Sequence, residues 1–272
     1  TGGIRFDNIA FDNGDIMTNN AIKDLDFGGR HIDTGLWPKA NIQISPRVGF
    51  VWDVLGDKSL KVRGGTGLFA GRLPLVFFTN MPTNSGMIQQ NPYNAVTTYN
   101  SDGTVKSSNP TLDKFKGGLV TDPNQIRDLL GAPATITPEQ GTVAKTIGGV
   151  DRDFKMPQVW KTSVAVDYQV PVSFPLTLTA EFIYTKKIND VMLDNYNIKN
   201  NTSEWEHLNG ADNRLIYPKD FTYYSNINDA CVLTNTHKGH GYTFNITATA
   251  EPIKNLNVMA AYTHTVMKEI SG

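Results

Sequence analysis

Residues 160–170 read WKTSVAVDYQV. Every second residue gives Trp160, Thr162, Val164, Val166, Tyr168 and Val170, while Lys161, Ser163, Ala165, Asp167 and Gln169 lie between them. A period of two sends successive side chains to opposite sides of a sheet, so this segment is a strand with one apolar face and one wet face. The same alternation recurs over 3–8, 46–54, 59–70, 176–193, 229–250 and 256–268. The fold then depends on which solvent meets each face.

Composition narrows the choice. The chain of 272 residues is long enough for one large all-β domain or two smaller ones. Its 25 basic and 26 acidic residues leave a formal net charge of −1, which provides no field to recruit nucleic acid. The single cysteine, Cys231, allows neither an internal disulfide nor a cysteine-built metal cage. Mean hydropathy is −0.31, and no apolar run reaches the roughly 20 residues of a membrane helix. Transmembrane β-strands escape that test, because they alternate and need only about 9 to 11 residues. The N-terminal TGGIRFDN has no basic or apolar leader pattern, and the chain is expected to be an internal piece of a longer one.

The connectors come in two lengths. LGDK at 55–58, PVSF at 171–174 and PIKN at 252–255 are tight turns, whereas 9–45, 71–156 and 194–228 are long and rich in Asn, Asp, Gly, Pro and aromatics. Because the two kinds alternate, an up-and-down antiparallel meander puts every short turn at one rim and every long loop at the other. Loops beyond about 12 to 15 residues are uncommon in compact domains, but outer-membrane barrels carry this asymmetry by rule. In the longest loop, DPNQIRDLLG reads as a capped helix over 123–130, with proline at its first position. Thr137 to Gln140 offers a second N-terminal signature.

Even positions carry the apolar row: Val48, Phe50, Trp52 and Val54, then Leu176, Leu178, Ala180, Phe182 and Tyr184, then Tyr242, Phe244, Ile246 and Ala248. Odd positions hold Arg47, Asp53, Lys61, Arg63, Lys161, Asp167, Glu181 and Asn245. Phe50, Trp52 and Tyr168 lie near the short turns, while Trp160, Phe182, Tyr184, Tyr242 and Tyr262 lie further up, with small aliphatics between. Two aromatic girdles around an aliphatic band are what the two membrane interfaces select. The expected fold is all-β: about seven strands of a larger transmembrane barrel, with residues 1–272 forming one partial barrel domain. The competing reading is a secreted, soluble β-sandwich that binds carbohydrate or a surface partner through aromatic loops.

Specific blocks add a resemblance. ISPRVGFVWDVLGDKSLKVRGGTGLFAGRLPLVFFTN at 44–80 and DRDFKMPQVWKTSVAVDYQVP at 151–171 resemble the barrel of TonB-dependent receptors of the Oar-like, carboxypeptidase-regulatory-domain type, as do LTLTAEFIYTKKINDV and LTNTHKGHGYTFNITATAEPIKNLNVMAAYTH. The resemblance implies a Gram-negative outer-membrane barrel of about 22 strands. It also implies an N-terminal plug, a TonB complex as energising partner, outer-membrane lipid around the barrel, and import of a solute that the sequence does not identify. The plug, TonB box and C-terminal aromatic strand of that family are not among these residues.

Catalytic signatures are missing. GGTGLFAGR at 64–72 lacks the Gly-Lys-Ser/Thr ending of a phosphate loop and lies within a strand, where glycine more commonly permits curvature or close approach. His237 and His240 fall on opposite faces at period two, against joint metal ligation. Asp53, Asp167 and Glu181 alternate with basic residues, which favours a hydrated ionic lining over acid–base chemistry. No enzyme, cofactor or metal site is expected. The expected lumen-facing residues are Arg47, Lys61, Arg63, Lys161, Asp167 and Glu181. The candidate ligand-binding aromatics of the loops are Trp37, Phe77, Phe78, Tyr93, Tyr99, Trp205, Tyr223 and Tyr224, with Tyr217 beside them; loop packing is the competing use.

Overall fold

The computed structural model describes residues 1–14, 16–87, 97–108, 110–115 and 117–270. Its strands in chain order are β1 (Gly2–Ile9), β2 (Asn41–Asp53), β3 (Leu60–Ala70), β4 (Thr98–Tyr99), β5 (Val105–Ser107), β6 (Thr146–Val150), β7 (Gln158–Gln169), β8 (Leu176–Asn195), β9 (Asp229–Thr236), β10 (His240–Ile253) and β11 (Leu256–Lys268). Helices α1 (Asn20–Lys23), α2 (Val76–Thr83), α3 (Pro110–Asp113) and α4 (Pro123–Leu130) lie in the connectors.

Among the described residues, nine strands form one sheet, in which β1-β2-β3-β7-β8-β10-β11 run as an antiparallel meander. The sheet is open, with β1 and β11 as its edges. β6 and β9 lie off the path: β9 pairs antiparallel with the far end of β8, and β6 pairs parallel with β9.

Turn chemistry follows the residues. After β2, the Asp53 carboxylate accepts the backbone N–H of Gly56 at 3.0 Å and of Lys58 at 3.0 and 3.2 Å, holding a turn in which both residues have positive φ. Asp53 is therefore a turn-closing group rather than part of an ionic lining. Between β10 and β11, Asn255 takes φ 69° and donates its N–H to Glu251 at 3.1 Å. The short turns share one end of the sheet and the long connectors share the other.

Several boundaries differ from the sequence reading. β2 starts at Asn41 and β1 reaches Ile9, so the first long loop is shorter than 9–45; Asn41 to Ser45 pair with Arg5 to Ile9 although this arm precedes the clear alternation. The segment 229–250 is two strands, yet its register against β8 never slips. Asn195 faces Cys231, Asp190 faces Thr236, Lys186 faces His240 and Leu176 faces Ala250. The break at 237–239, with Gly239 at φ 114°, interrupts the ladder without shifting it. The loop over 71–156 is also more structured than expected: it holds β4 to β6, α2, α3 and α4, with Asp122 capping α4 through the Asn124 N–H and Gly131 closing it in the left-handed conformation.

The even row is uncovered. Ile4, Phe6, Val48, Phe50, Trp52, Trp160, Val164, Phe182, Ile246 and Tyr262 are each between 41% and 66% exposed. Among the described residues no second sheet opposes them, which removes the sandwich reading: a sandwich buries its apolar row against another sheet. The buried core lies instead among the long connectors, in two clusters. One gathers Ile22, Phe27, Ile32, Ile147, Tyr196, Ile227, Ala230 and Val232; the other gathers Phe78, Met81, Val150, Phe154, Met156 and Leu233.

This division of faces yields a test. Ile246 sits on the apolar row between Ala180 and Tyr262, whereas Thr247 faces the other way. Ile246→Arg should lower the folding stability of the intact protein in liposomes by about 2–4 kcal/mol, as for a charge on a lipid-facing position. Thr247→Arg should cost far less; equal losses in urea titrations would contradict the assignment of faces.

Candidate functional site

The inner face is built across three strands. Arg63 on β3 points its Nε at Asp167 Oδ2 on β7 (3.0 Å) and one Nη at Glu181 Oε1 on β8 (3.4 Å). Register explains the reach: Arg63 pairs with Ala165, which pairs with Glu181, and the alanine is 2% exposed beneath the guanidinium. A longer side chain at 165 would stand in the way. Asp167 is held on its other oxygen by Thr179 Oγ1 at 2.8 Å and faces Lys61 in register. Arg63, Asp167 and Glu181 thus form one partly exposed ionic group with Lys61 beside it.

The other two expected basic residues stand apart. Arg47 lies over the Phe69 ring, 4.3 Å from its centroid, and Lys161 is exposed with no carboxylate partner among the described residues. The glycines of β3 belong to this packing. A Cβ on Gly67 would lie 2.8 Å from both Arg47 Cγ and Pro46 O, so Gly67 makes room for the arginine stem. Ala165 and Thr179 were missed by sequence reasoning, since only cross-strand register reveals them. Nearer the long loops, Asp7 Oδ2, Gln43 Oε1 and Ser45 Oγ are buried on the inner face with no hydrogen-bond partner among the described residues.

Over that rim the connectors form a cap, tied by the buried Asn19 and Asn197 and the half-buried Arg30. Asn19 caps α1 and donates Nδ2 to Ser85 O (2.8 Å) and Thr142 O (2.9 Å), joining the first long connector to the second. Asn197 does the same within the third, donating to Tyr224 O (2.9 Å) and Ile227 O (2.7 Å). Arg30 pairs with Asp194 at 3.2 Å, donates to the carbonyls of Tyr196 and Ile198 at 3.0 Å, and lies 4.5 Å from the Tyr196 ring centre.

Most of the candidate aromatics are placed in this packing. Phe78 is 3% exposed against Phe11, Trp37 and Phe154. Tyr224 stacks edgewise on Phe27 and bonds the backbone of Asp26, Tyr223 donates to Asn200, and Trp205 packs on Tyr217 at 5.2 Å. Phe77 and Tyr99 are 46% and 59% exposed, so helix α2 turns Phe77 out where it turns Phe78 in. Tyr93 lies outside the described residues.

The cap also holds a half-open cavity of about 370 Å³ that the sequence did not announce, where Arg30, Asp151, Arg152 and Tyr196 meet an apolar wall that includes Leu36 and Val232. Burial, reinforced by the Asp151 and Asp194 carboxylates, pushes the Tyr196 phenol above its ordinary value. His237 bonds the Ile188 carbonyl, whereas His240 is exposed on β10, so the two histidines do not converge.

The outer membrane beta barrel domain family matches residues 3–267. No curated protein matches the chain. Among solved structures, the chain is similar to the outer membrane transporter YddB from Escherichia coli, at a TM-score of 0.42 and 10% identity, covering 84% of this chain and 21% of that one. The chain therefore spans about a fifth of that transporter's length.

The cap's aromatics separate by substitution. Phe78→Ala should destabilise the cap by about 3–5 kcal/mol, as for a buried phenylalanine, and appear as protease cleavage within 71–156 while the barrel still migrates as folded. Phe77→Ala and Tyr99→Ala should leave the cleavage pattern unchanged.

Proposed function

We propose that this chain, which belongs to the outer membrane β-barrel domain family and lies in the outer membrane, is the middle part of a TonB-dependent, Oar-like receptor that captures a solute and imports it by energised transport. The observation that carries the reading is the two-faced sheet: an uncovered apolar row on one side, and on the other an ionic group of Arg63, Asp167 and Glu181 beneath a packed cap. Lipid against the first face and water against the second make a wall of a passage.

The proposed barrel has about 22 strands, a size at which the lumen is wide and needs a plug. Open edges support further strands, since unpaired backbone groups at β1 and β11 are not tolerated in hydrocarbon. The plug and the TonB complex are proposed partners, together with outer-membrane lipid and a solute of unassigned class. Nucleic acid is not, given the balanced charge. The proposed mechanism is capture by the cap followed by plug movement, with no bond chemistry and no cofactor. The loop cavity lined by Arg30, Arg152 and Tyr196, rather than the packed aromatics, is the favoured first contact; exposed Phe77 and Tyr99 remain candidates for it.

In the full-length receptor, Lys61→Ala, Arg63→Ala and Glu181→Ala should each reduce import while the amount of folded receptor in the outer membrane stays near wild type. Parallel loss of folded receptor in all three would sink the lumen role. Import that persists under a protonophore would rule out energised transport, and a steadily open channel in planar bilayers would rule out the plug.

A further inference from the structure

One register row crosses the sheet just below the cap and changes chemistry on the way. Leu68 pairs with Trp160, Trp160 with Lys186, Lys186 with His240, and His240 with Lys268. These positions share the parity of Tyr184 and Tyr242, the exposed aromatics two residues closer to the short turns, so they belong to the lipid-facing side. Long loops of outer-membrane barrels are extracellular, which puts this row at the headgroups of the outer leaflet.

The lysines are uncompensated. Carboxylates are near, but Lys187, one residue along and facing inward, takes both Asp190 (3.2 Å) and Glu269 (3.2 Å). Among the described residues, Lys186 and Lys268 have no carboxylate partner, and His240 between them is exposed. On the other flank of Trp160, the same surface is hollowed into an apolar groove of about 320 Å³ lined by Ile4, Pro46, Val48, Thr66, Leu68 and Trp160. The indole is fixed beside the groove by Nε1 donation to Thr66 Oγ1 (2.6 Å) and Thr162 Oγ1 (3.1 Å).

We propose that this row is a site for an anionic, phosphate-bearing lipid of the outer leaflet, whose phosphates meet Lys186, His240 and Lys268 and whose acyl chain lies in the groove beside Trp160. A basic cluster facing water would suit a soluble anion. This one faces the bilayer, next to a slot for a chain, and both halves fit one amphipathic molecule. Its position outside the barrel wall makes it independent of transport, so the proposal rests on the lipid-facing assignment alone.

The test uses the full-length receptor in phosphatidylcholine nanodiscs containing a minor fraction of bisphosphorylated lipid A, with retained lipids counted by native mass spectrometry. Wild type should retain lipid A in preference to phosphatidylcholine. Each of Lys186→Gln and Lys268→Gln should weaken retention about fivefold, the effect of one basic residue at an anionic lipid surface. Lys187→Gln should have no effect, and Lys186→Arg with Lys268→Arg, which preserves charge and folding, should retain lipid A. Equal retention of dephosphorylated lipid A, unchanged retention in the Gln variants, or displacement by inorganic phosphate would each overturn the proposal.

Discussion

Backbone amides and carbonyls have no water to bond in hydrocarbon, and each one left unpaired there costs several kcal/mol. The rest of this structure depends on that constraint. It keeps the spanning segments in one antiparallel ladder, and β8 holds one register through β9 and β10 across the break at 237–239. It also allows the strands of the meander to present apolar side chains outward with no other protein layer against them.

That inversion relocates the core. In a water-soluble β-protein the apolar rows of strands would pack together; here they meet lipid, and close packing is handed to the connectors. Phe27, Ile22, Met81 and Ile147, all fully buried, come from loops or from the short β6 rather than from the spanning strands. Loops cannot bury that much without satisfying their own backbone, so the cap is threaded by Asn19, Asn197 and Arg30, side chains with enough donors to serve carbonyls from distant segments. β6 extends the same solution by adding a parallel strand beside β9, beyond the level where β10 leaves β8.

The two faces of the sheet were legible to different depths. Apolar against polar rows, the short turns and the capped helix α4 could be read because each depends on residues close in sequence. The inner ionic group was legible only as a list of charges: Lys61, Arg63, Asp167 and Glu181 were recognised, but that Arg63 joins Asp167 to Glu181 across Ala165 follows from register between strands 100 or so residues apart. The loop aromatics show the same limit. Phe77 and Phe78 are adjacent and chemically identical, and only the facing of α2 makes one exposed and the other core.

The sequence alone determined which side of each spanning strand is apolar, because period two is a local property; that this side has no second sheet against it was decided by the assembled fold. The sequence also determined which rim carries the long connectors, since alternating short and long links leave an antiparallel meander no other arrangement. Tertiary structure decided what those connectors do: which aromatics pack, where a cavity forms, and which basic residues find carboxylates. The physical reason is range. Contacts such as Asn19 with Thr142, or Lys186 beside His240, join residues whose proximity exists only after the ladder has set its register.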